Sequence, residues 1–89
     1  MARIKVTPEQ VRQVAGKFKS AHGESQNMVS QLQTAINGLR PDWEGMAQQR
    51  FYQQFEQWKS SMNQFTQLLS EIGQELDAVA GRFEAADQQ

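Results

Sequence analysis

The stretch LRPDWEGMAQ, residues 39–48, lies near the middle of an 89-residue chain, between two long segments with helical patterning. Pro41 disfavours helix at the residue before it, so a helix that arrives from the N-terminal side is expected to end here. Gly45 can adopt a backbone conformation that is costly for other residues. The stretch therefore predicts a tight turn, although Trp43 is far larger than the small residues that usually form one.

The first helix is predicted to span residues 8–39. Thr7 suits the N-cap, Pro8 the first helical position, and Gln10 the partner position of a capping box. Apolar residues then recur at alternating spacings of three and four, which places them on one stripe of the helix. This stripe comprises Val11, Val14, Phe18, Ala21, Met28, Leu32, Ala35 and Leu39, with the polar Ser25 at the stripe position between Ala21 and Met28. Its large members are predicted to pack in a core or against a partner chain.

The second helix is predicted to cover about residues 45–86 and to start near Asp42 or Glu44. Acidic residues suit a helix N-terminus because of its free N–H groups and the positive end of its dipole. Ten apolar residues follow at alternating spacings of four and three. They are Phe51, Phe55, Trp58, Met62, Phe65, Leu69, Ile72, Leu76, Val79 and Phe83. We expect this stripe, including its aromatic members, to form packing surfaces and not a ligand site.

Two long helices joined by a short connection predict an all-α fold, an antiparallel helical hairpin that forms one domain over residues 1–89. A two-helix seam covers only part of the second stripe, and each large apolar side chain contributes about 1.5–3 kcal/mol when fully buried. The exposed remainder predicts that two hairpins pair into a dimeric four-helix bundle. An identical chain is the expected partner, because neither helix has a strong charge bias; a lone hairpin is the alternative.

Composition argues against several classes of function. The net charge is -1 and no basic run is present, which argues against nucleic-acid binding. No apolar segment follows the N-terminus, and no apolar run approaches the roughly 18–20 residues that cross a bilayer. The sequence therefore predicts a protein made in the cytoplasm, without a cleavable signal peptide and without stable membrane insertion.

Catalytic and metal-binding patterns are not found in the sequence. His22 is the only histidine, cysteine is absent, and Gln26, not an acid, stands four positions on. This setting predicts no metal site, and we expect His22 to be partly exposed beside the first stripe. Phosphate-binding loops and nucleophile elbows are absent as well. The protein is predicted not to be an enzyme and to need no cofactor.

The turn, with its tripeptide Trp43-Glu44-Gly45, resembles the signature of the WXG family, whose members are related to the early secreted antigenic target of mycobacteria. The resemblance covers essentially the whole chain, from its length and its two heptad helices to the motif near the midpoint. It implies a virulence-associated protein of a Gram-positive or actinobacterial species, secreted folded by a type VII secretion system. It also implies a homodimer, or a heterodimer with a paralogue, that contacts the secretion ATPase.

The same resemblance implies two recognition elements. Family members carry an export signal of the form Tyr-x-x-x-Asp/Glu at the end of the second helix; here FEAAD places Phe83 at the tyrosine position and Asp87 at the acidic one. In the family, the W-x-G turn of one subunit lies beside the signal of its partner. The expected recognition residues are therefore Trp43, Gly45, Phe83 and Asp87.

Two other functions stay open on the sequence alone. One is a helical adaptor or chaperone that remains inside the cell, and the other is a membrane-active protein. Detection in culture supernatant, with and without the secretion ATPase, separates export from retention. Vesicle leakage tests membrane activity, which the Gln-rich polar faces disfavour in comparison with cationic surface helices.

Overall fold

The computed structural model describes residues 6–43 and 45–87, with only the backbone of Arg40 and Asp87. The described residues form two α-helices joined by a short 3-10 turn. In chain order these are α1 (Pro8–Leu39), the 3-10 turn (Arg40–Asp42) and α2 (Met46–Asp87). The predicted all-α hairpin is confirmed, and both helices agree with their predicted bounds to within one residue.

α1 begins with the predicted capping box. The backbone N–H of Thr7 donates to Oε1 of Gln10 at 2.9 Å, and the N–H of Gln10 donates to Oγ1 of Thr7 at 3.2 Å. The N–H of Val11 completes the first turn on the Thr7 carbonyl at 3.2 Å. These bonds satisfy N–H groups that a helix start otherwise leaves without partners, so the first turn of α1 is well fixed.

The chain leaves α1 through the 3-10 turn, which includes Pro41. Gly45 then has a φ of 111°, in the left-handed region that glycine occupies at low cost. Because this conformation cannot belong to a right-handed helix, α2 starts only after it, and the N–H of Gln49 donates to the Gly45 carbonyl at 3.3 Å. The prediction that Asp42 starts the second helix is therefore wrong; Glu44, the other predicted start, lies outside the described residues.

The seam between α1 and α2 is built mainly from small and polar residues. Its buried apolar members are Val11, Ala15, Phe55 and Ala80, and its buried polar members are Ser25 and Thr66. Gly73 allows a close approach of the helices, because a Cβ at this position would lie 3.3 Å from Cγ of Lys19 and 3.4 Å from the Ala15 carbonyl oxygen. The two helices are therefore close along this line, and most of the large side chains lie elsewhere.

The large apolar residues of the two predicted stripes lie mostly beside the seam. Val11 and Phe55 are buried as predicted, but four others are 40–45% exposed. These four, together with three residues that line a groove between the helices, form a surface that we term the lateral face: Val14, Met28, Leu32 and Phe65, with Ala21, Met62 and Leu69. The other predicted packing residues are partly exposed, namely Phe18, Phe51, Trp58, Ile72 and Leu76. One hairpin thus buries only part of the predicted core, because the apolar stripes are wider than its single seam.

The hairpin measures 67 × 22 × 15 Å. Its long axis is close to the length of α2 alone, since a helix of 42 residues is about 63 Å long. Its shortest dimension corresponds to one layer of helices, so the described residues place no second layer over the lateral face. Within the described ranges, no helix is both long and apolar enough to cross a bilayer.

Candidate functional site

The turn end of the hairpin carries Trp43, which is half-buried against α2. Its ring centroid lies 5.1 Å from that of Phe51 and 6.2 Å from that of Tyr52, and the ring planes are tilted in both pairs. Tilted ring contacts of this kind are favourable beyond the area that they bury. Gly45 supports the arrangement, because its left-handed backbone redirects the chain between the indole and the first turn of α2.

Trp43 is the first ring of an aromatic row that continues along α2 and consists of Trp43, Phe51, Tyr52, Phe55 and Trp58. Phe51 stacks on Phe55 at a centroid distance of 6.4 Å, and Phe55 stacks on Trp58 at 5.5 Å. The ammonium of Lys59 lies 6.0 Å from the Phe55 ring centroid, at the outer limit for a cation–π attraction. Because Phe55 is buried in the seam, the row is anchored at its centre and holds the indole in a defined place.

Polar bonds join the two helices close to this row. The hydroxyl of Tyr52 donates to the carbonyl of Ile36 at 3.3 Å, and Nζ of Lys59 donates to Oε1 of Gln33 at 2.8 Å. Ile36 lies in the last turn of α1. Tyr52 therefore fixes the end of α1 on α2.

The open end of the hairpin carries Phe83, which is partly exposed, beside an ion-pair cluster formed by Arg12, Lys19, Asp77 and Glu84. Nε of Arg12 lies 2.6 Å from Oε1 of Glu84, and its Nη1 lies 3.6 Å from Oδ1 of Asp77. Lys19 also pairs with Asp77. The hydrogen bond from Arg12, together with its charge, holds the pKa of Glu84 below its ordinary value. Charges thus join α1 to the last turns of α2.

The structure separates the predicted recognition residues. Trp43 and Gly45 lie at the turn, whereas Phe83 lies near the opposite end of a hairpin that is 67 Å long. α2 extends through the backbone of Asp87, but the Asp87 side chain lies outside the described part of the chain. A single chain therefore does not bring the two predicted elements together.

The lateral face contains an open groove of about 270 Å³ between the helices. Its apolar lining residues are Ala21, Met28, Met62, Phe65 and Leu69, and its polar ones are Glu24 and Ser25. A groove of this kind between two helices accepts an apolar side chain of a further helix, as a hole accepts a knob in a coiled coil. The groove marks the surface on which a third and fourth helix can pack.

The W-x-G turn and the helical hairpin are shared with a family of known proteins. The family described as proteins of 100 residues with WXG, WXG100, matches residues 3–88. The chain belongs to this family. It is 35% identical over 89 residues to the type VII secretion system extracellular protein A of Staphylococcus aureus (strain USA300), and the alignment covers 100% of this chain and 92% of that relative.

Two solved structures resemble this WXG100 chain in both fold and sequence. The secreted protein EsxB from Bacillus anthracis str. Sterne matches with a TM-score of 0.86 and 39% identity, over 98% of this chain and 99% of the other. EsxA from Geobacillus thermodenitrificans matches with a TM-score of 0.88 and 31% identity, over 98% and 95% of the two chains. The WXG100 hairpin is therefore shared with EsxB and EsxA along nearly its whole length.

A polar contact in the middle of this WXG100 hairpin is not apparent from the apolar pattern. Nδ1 of His22 lies 2.9 Å from the Thr66 carbonyl oxygen, and since a carbonyl only accepts, Nδ1 carries the proton. The hydroxyls of Ser25 and Thr66 bond to each other in the buried seam. His22 is half-buried, in agreement with its predicted place beside the stripe, whereas Thr66 is hidden from the pattern by its polar side chain. Thr66 lies seven residues before the buried Gly73, and this heptad spacing is the sequence signal that could have placed Thr66 in the seam.

Proposed function

We propose that this WXG100 protein is a substrate, co-export partner or effector of a type VII secretion system, that it leaves the cell folded and that it is not an enzyme. The observation that carries the proposal is the W-x-G turn seated on the aromatic row, in a hairpin whose relatives are named extracellular or secreted. The name of the Staphylococcus aureus relative supports type VII secretion as the export route. The fixed indole supplies a surface feature that a partner can recognise.

The exported form in this proposal is a dimer whose two lateral faces pack together. Met28, Leu32 and Phe65 are each about 40% exposed or more in one hairpin, and full burial of such side chains contributes about 1.5–3 kcal/mol each. A second hairpin supplies the missing layer and completes a four-helix bundle. An identical chain satisfies this requirement, and a paralogous WXG100 chain is the other possible composition of the same bundle.

Pairing also explains how two distant recognition elements can act together. Antiparallel packing of two hairpins, each 67 Å long, places the turn end of one chain beside the open end of the other. Trp43 and Gly45 of one chain then lie near Phe83 and Asp87 of its partner. Residues four apart share a helix face, so the ring and the carboxylate form a compact motif for a groove in the secretion ATPase. This combined surface exists only in the assembled dimer.

Export is tested by measuring the protein in culture supernatant of its own host, with and without the type VII ATPase. Wild-type protein is expected outside the cell only when the ATPase is present. Trp43→Ala and Asp87→Ala are expected to lower secretion, while Trp43→Phe, which keeps a ring on Phe51, retains part of it. Gln53→Ala, an exposed substitution on α2, serves as the control. Normal secretion of both alanine variants in folded form contradicts the recognition site.

The dimer is tested by light scattering on the purified protein. A mass of twice the 10.2 kDa chain is expected, and Phe65→Glu, which places a charge on the lateral face, is expected to shift it toward the single chain. A wild-type protein that stays monomeric at micromolar concentration contradicts the bundle.

In the export experiment, wild-type protein that stays inside cells with an active ATPase would instead support an adaptor or chaperone.

A further inference from the structure

The last turn of α2 has an unfavourable charge pattern. It holds Glu84 and Asp87 and contains no basic residue. The C-terminal end of a helix carries partial negative charge and carbonyls without intrahelical partners, so acidic side chains there weaken the turn. Phe83, the aromatic residue of the proposed export signal, directly precedes this turn. The charge pattern of the segment that a partner must recognise therefore weakens its helical form.

α1 supplies the positive charge that the end of α2 lacks. Nε of Arg12 donates to Oε1 of Glu84 at 2.6 Å, across a separation of 72 residues in the chain. Arg12 also approaches Asp77 at 3.6 Å, but Asp77 already has Lys19 as a partner. The guanidinium of Arg12 is therefore directed mainly at Glu84.

Arg12 stands on a part of α1 that is itself well fixed. The capping box between Thr7 and Gln10 closes the first turn just before it. Val11, its neighbour in sequence, is 8% exposed, and Ala80, one turn before Glu84, is fully buried. The two helices thus pack tightly just inside the ion pair, and the contact extends this packing into the last turn of α2.

We propose that Arg12 is a positioning residue for the export signal, holding the last turn of α2 in helical form through Glu84 so that positions 83 and 87 stay one turn apart. The inference rests on the proposed function, since it assumes that Phe83 and Asp87 are read by the secretion machinery. It adds a residue far from the signal in sequence, on the other helix. It also makes the presentation of the signal depend on a folded hairpin.

The structural half of the proposal is tested by amide hydrogen exchange on the full-length purified protein. Arg12→Gln is expected to speed exchange of the amides of residues 84–87 by about two- to fivefold, the range for loss of an exposed ion pair. Lys17→Gln is the matched control, because it removes one charge from the same helix and Lys17 forms no ion pair among the described residues. The double variant Arg12→Glu with Glu84→Arg restores an opposite-charge pair, and it is compared with Glu84→Arg alone, because an arginine in the last turn of a helix is favourable by itself. Slow exchange is expected to return in this double variant.

The functional half is tested by export of the same variants from the host. Secretion of Arg12→Gln is expected to fall, by at most the factor by which its exchange rises, to recover in the charge-swapped variant, and to stay normal in Lys17→Gln. Phe83→Ala and Asp87→Ala are measured in parallel. They report whether the signal itself is used.

The outcomes separate the two proposals. If Arg12→Gln leaves exchange at residues 84–87 unchanged, the positioning role is overturned. It is also overturned if exchange rises but export stays normal while Phe83→Ala or Asp87→Ala blocks it, and in that case the proposed function stands. If Phe83→Ala and Asp87→Ala are exported like wild type, the proposed signal fails and the positioning role fails with it. The proposal is supported if Arg12→Gln both speeds exchange and lowers export, and if the charge-swapped variant restores both to the wild-type level.

Discussion

At the turn end of the hairpin, Trp43 packs on Phe51 with ring centroids 5.1 Å apart, whereas at the open end Arg12 and Glu84 meet through exposed charged groups. Contacts between apolar rings depend little on salt, while exposed ion pairs are screened at physiological ionic strength and contribute little to overall stability. The turn end therefore keeps its shape under many conditions. The open end can be loosened without unfolding the molecule, so the two halves of the proposed recognition surface are expected to differ in how easily they are disturbed.

The largest effect is expected from breaking the aromatic row at its centre. Phe55 is 8% exposed and stacks on both Phe51 and Trp58, so Phe55→Ala removes a buried ring and leaves a cavity. Chemical denaturation is expected to show a loss of about 3 kcal/mol. Gln54→Ala, at the neighbouring exposed position, is expected to stay within about 0.5 kcal/mol of wild type. A loss below about 1 kcal/mol for Phe55→Ala would show that the row does not anchor the turn end.

The next effect is expected at the close approach of the helices in the open half. Gly73→Val places its first side-chain carbon 3.3 Å from Cγ of Lys19 and forces α1 outward. We expect thermal and chemical denaturation to report a loss of about 2 kcal/mol. Gly81→Val is the matched control, since a Cβ there meets nothing within 4 Å, and it is expected to be close to neutral. Equal effects at the two positions would contradict the tight seam.

Two glycine-to-alanine substitutions are expected to have smaller effects of opposite sign on stability. The one at Gly45 tests the turn, and the one at Gly16 is its counterpart within a helix. Gly45→Ala forces a side chain into a φ of 111° and is expected to cost about 1–2 kcal/mol. Gly16→Ala lies within α1 with open space around its Cβ position and is expected to stabilise the protein by up to about 1 kcal/mol. Both are measured by the denaturation midpoint. A neutral Gly45→Ala would mean that the turn tolerates another backbone conformation.

The smallest effect is expected from titrating the ion-pair cluster. Arg12 lowers the pKa of Glu84 in the folded protein, so the stabilising contribution is present above the unfolded-state pKa and is lost as the pH falls through the lower folded-state pKa. NMR titration of the Glu84 carboxyl should show its pKa rising toward the ordinary value in Arg12→Gln. Lys17→Gln should leave it unchanged. An unaltered pKa of Glu84 in Arg12→Gln is the result that would contradict the ion pair.

Local signals account for what the sequence predicts well. The capping box at Thr7 and Gln10 and the proline after α1 act over a few residues, and their bonds and bounds are found as expected. The predicted range of α2 begins within one residue of the observed start, and only the suggested start at Asp42 is wrong, because the left-handed backbone of Gly45 separates Asp42 from α2. Acidic residues nearby suggest an earlier start, but a helix cannot pass through such a φ.

Long-range features escape sequence patterns for a different reason. The apolar stripes mark large side chains, whereas the seam also includes Thr66 and Gly73, which carry little hydrophobic signal. The pairing of Arg12 with Glu84 joins residues 72 positions apart and depends on the register of the two helices. The role of the predicted recognition residues in export stays a prediction. The two elements lie at opposite ends of one chain, so their joint action requires a second chain.

The seam of small and polar residues has a consequence for mass action. Since the hairpin buries few of its large side chains within itself, much of the stability of the protein is expected to come from association. Its unfolding midpoint should then rise with protein concentration, because the apparent free energy of unfolding increases by about 1.4 kcal/mol per dimer for each tenfold increase. A freshly made chain at low abundance would be weakly folded, and folding would become efficient only as partners accumulate.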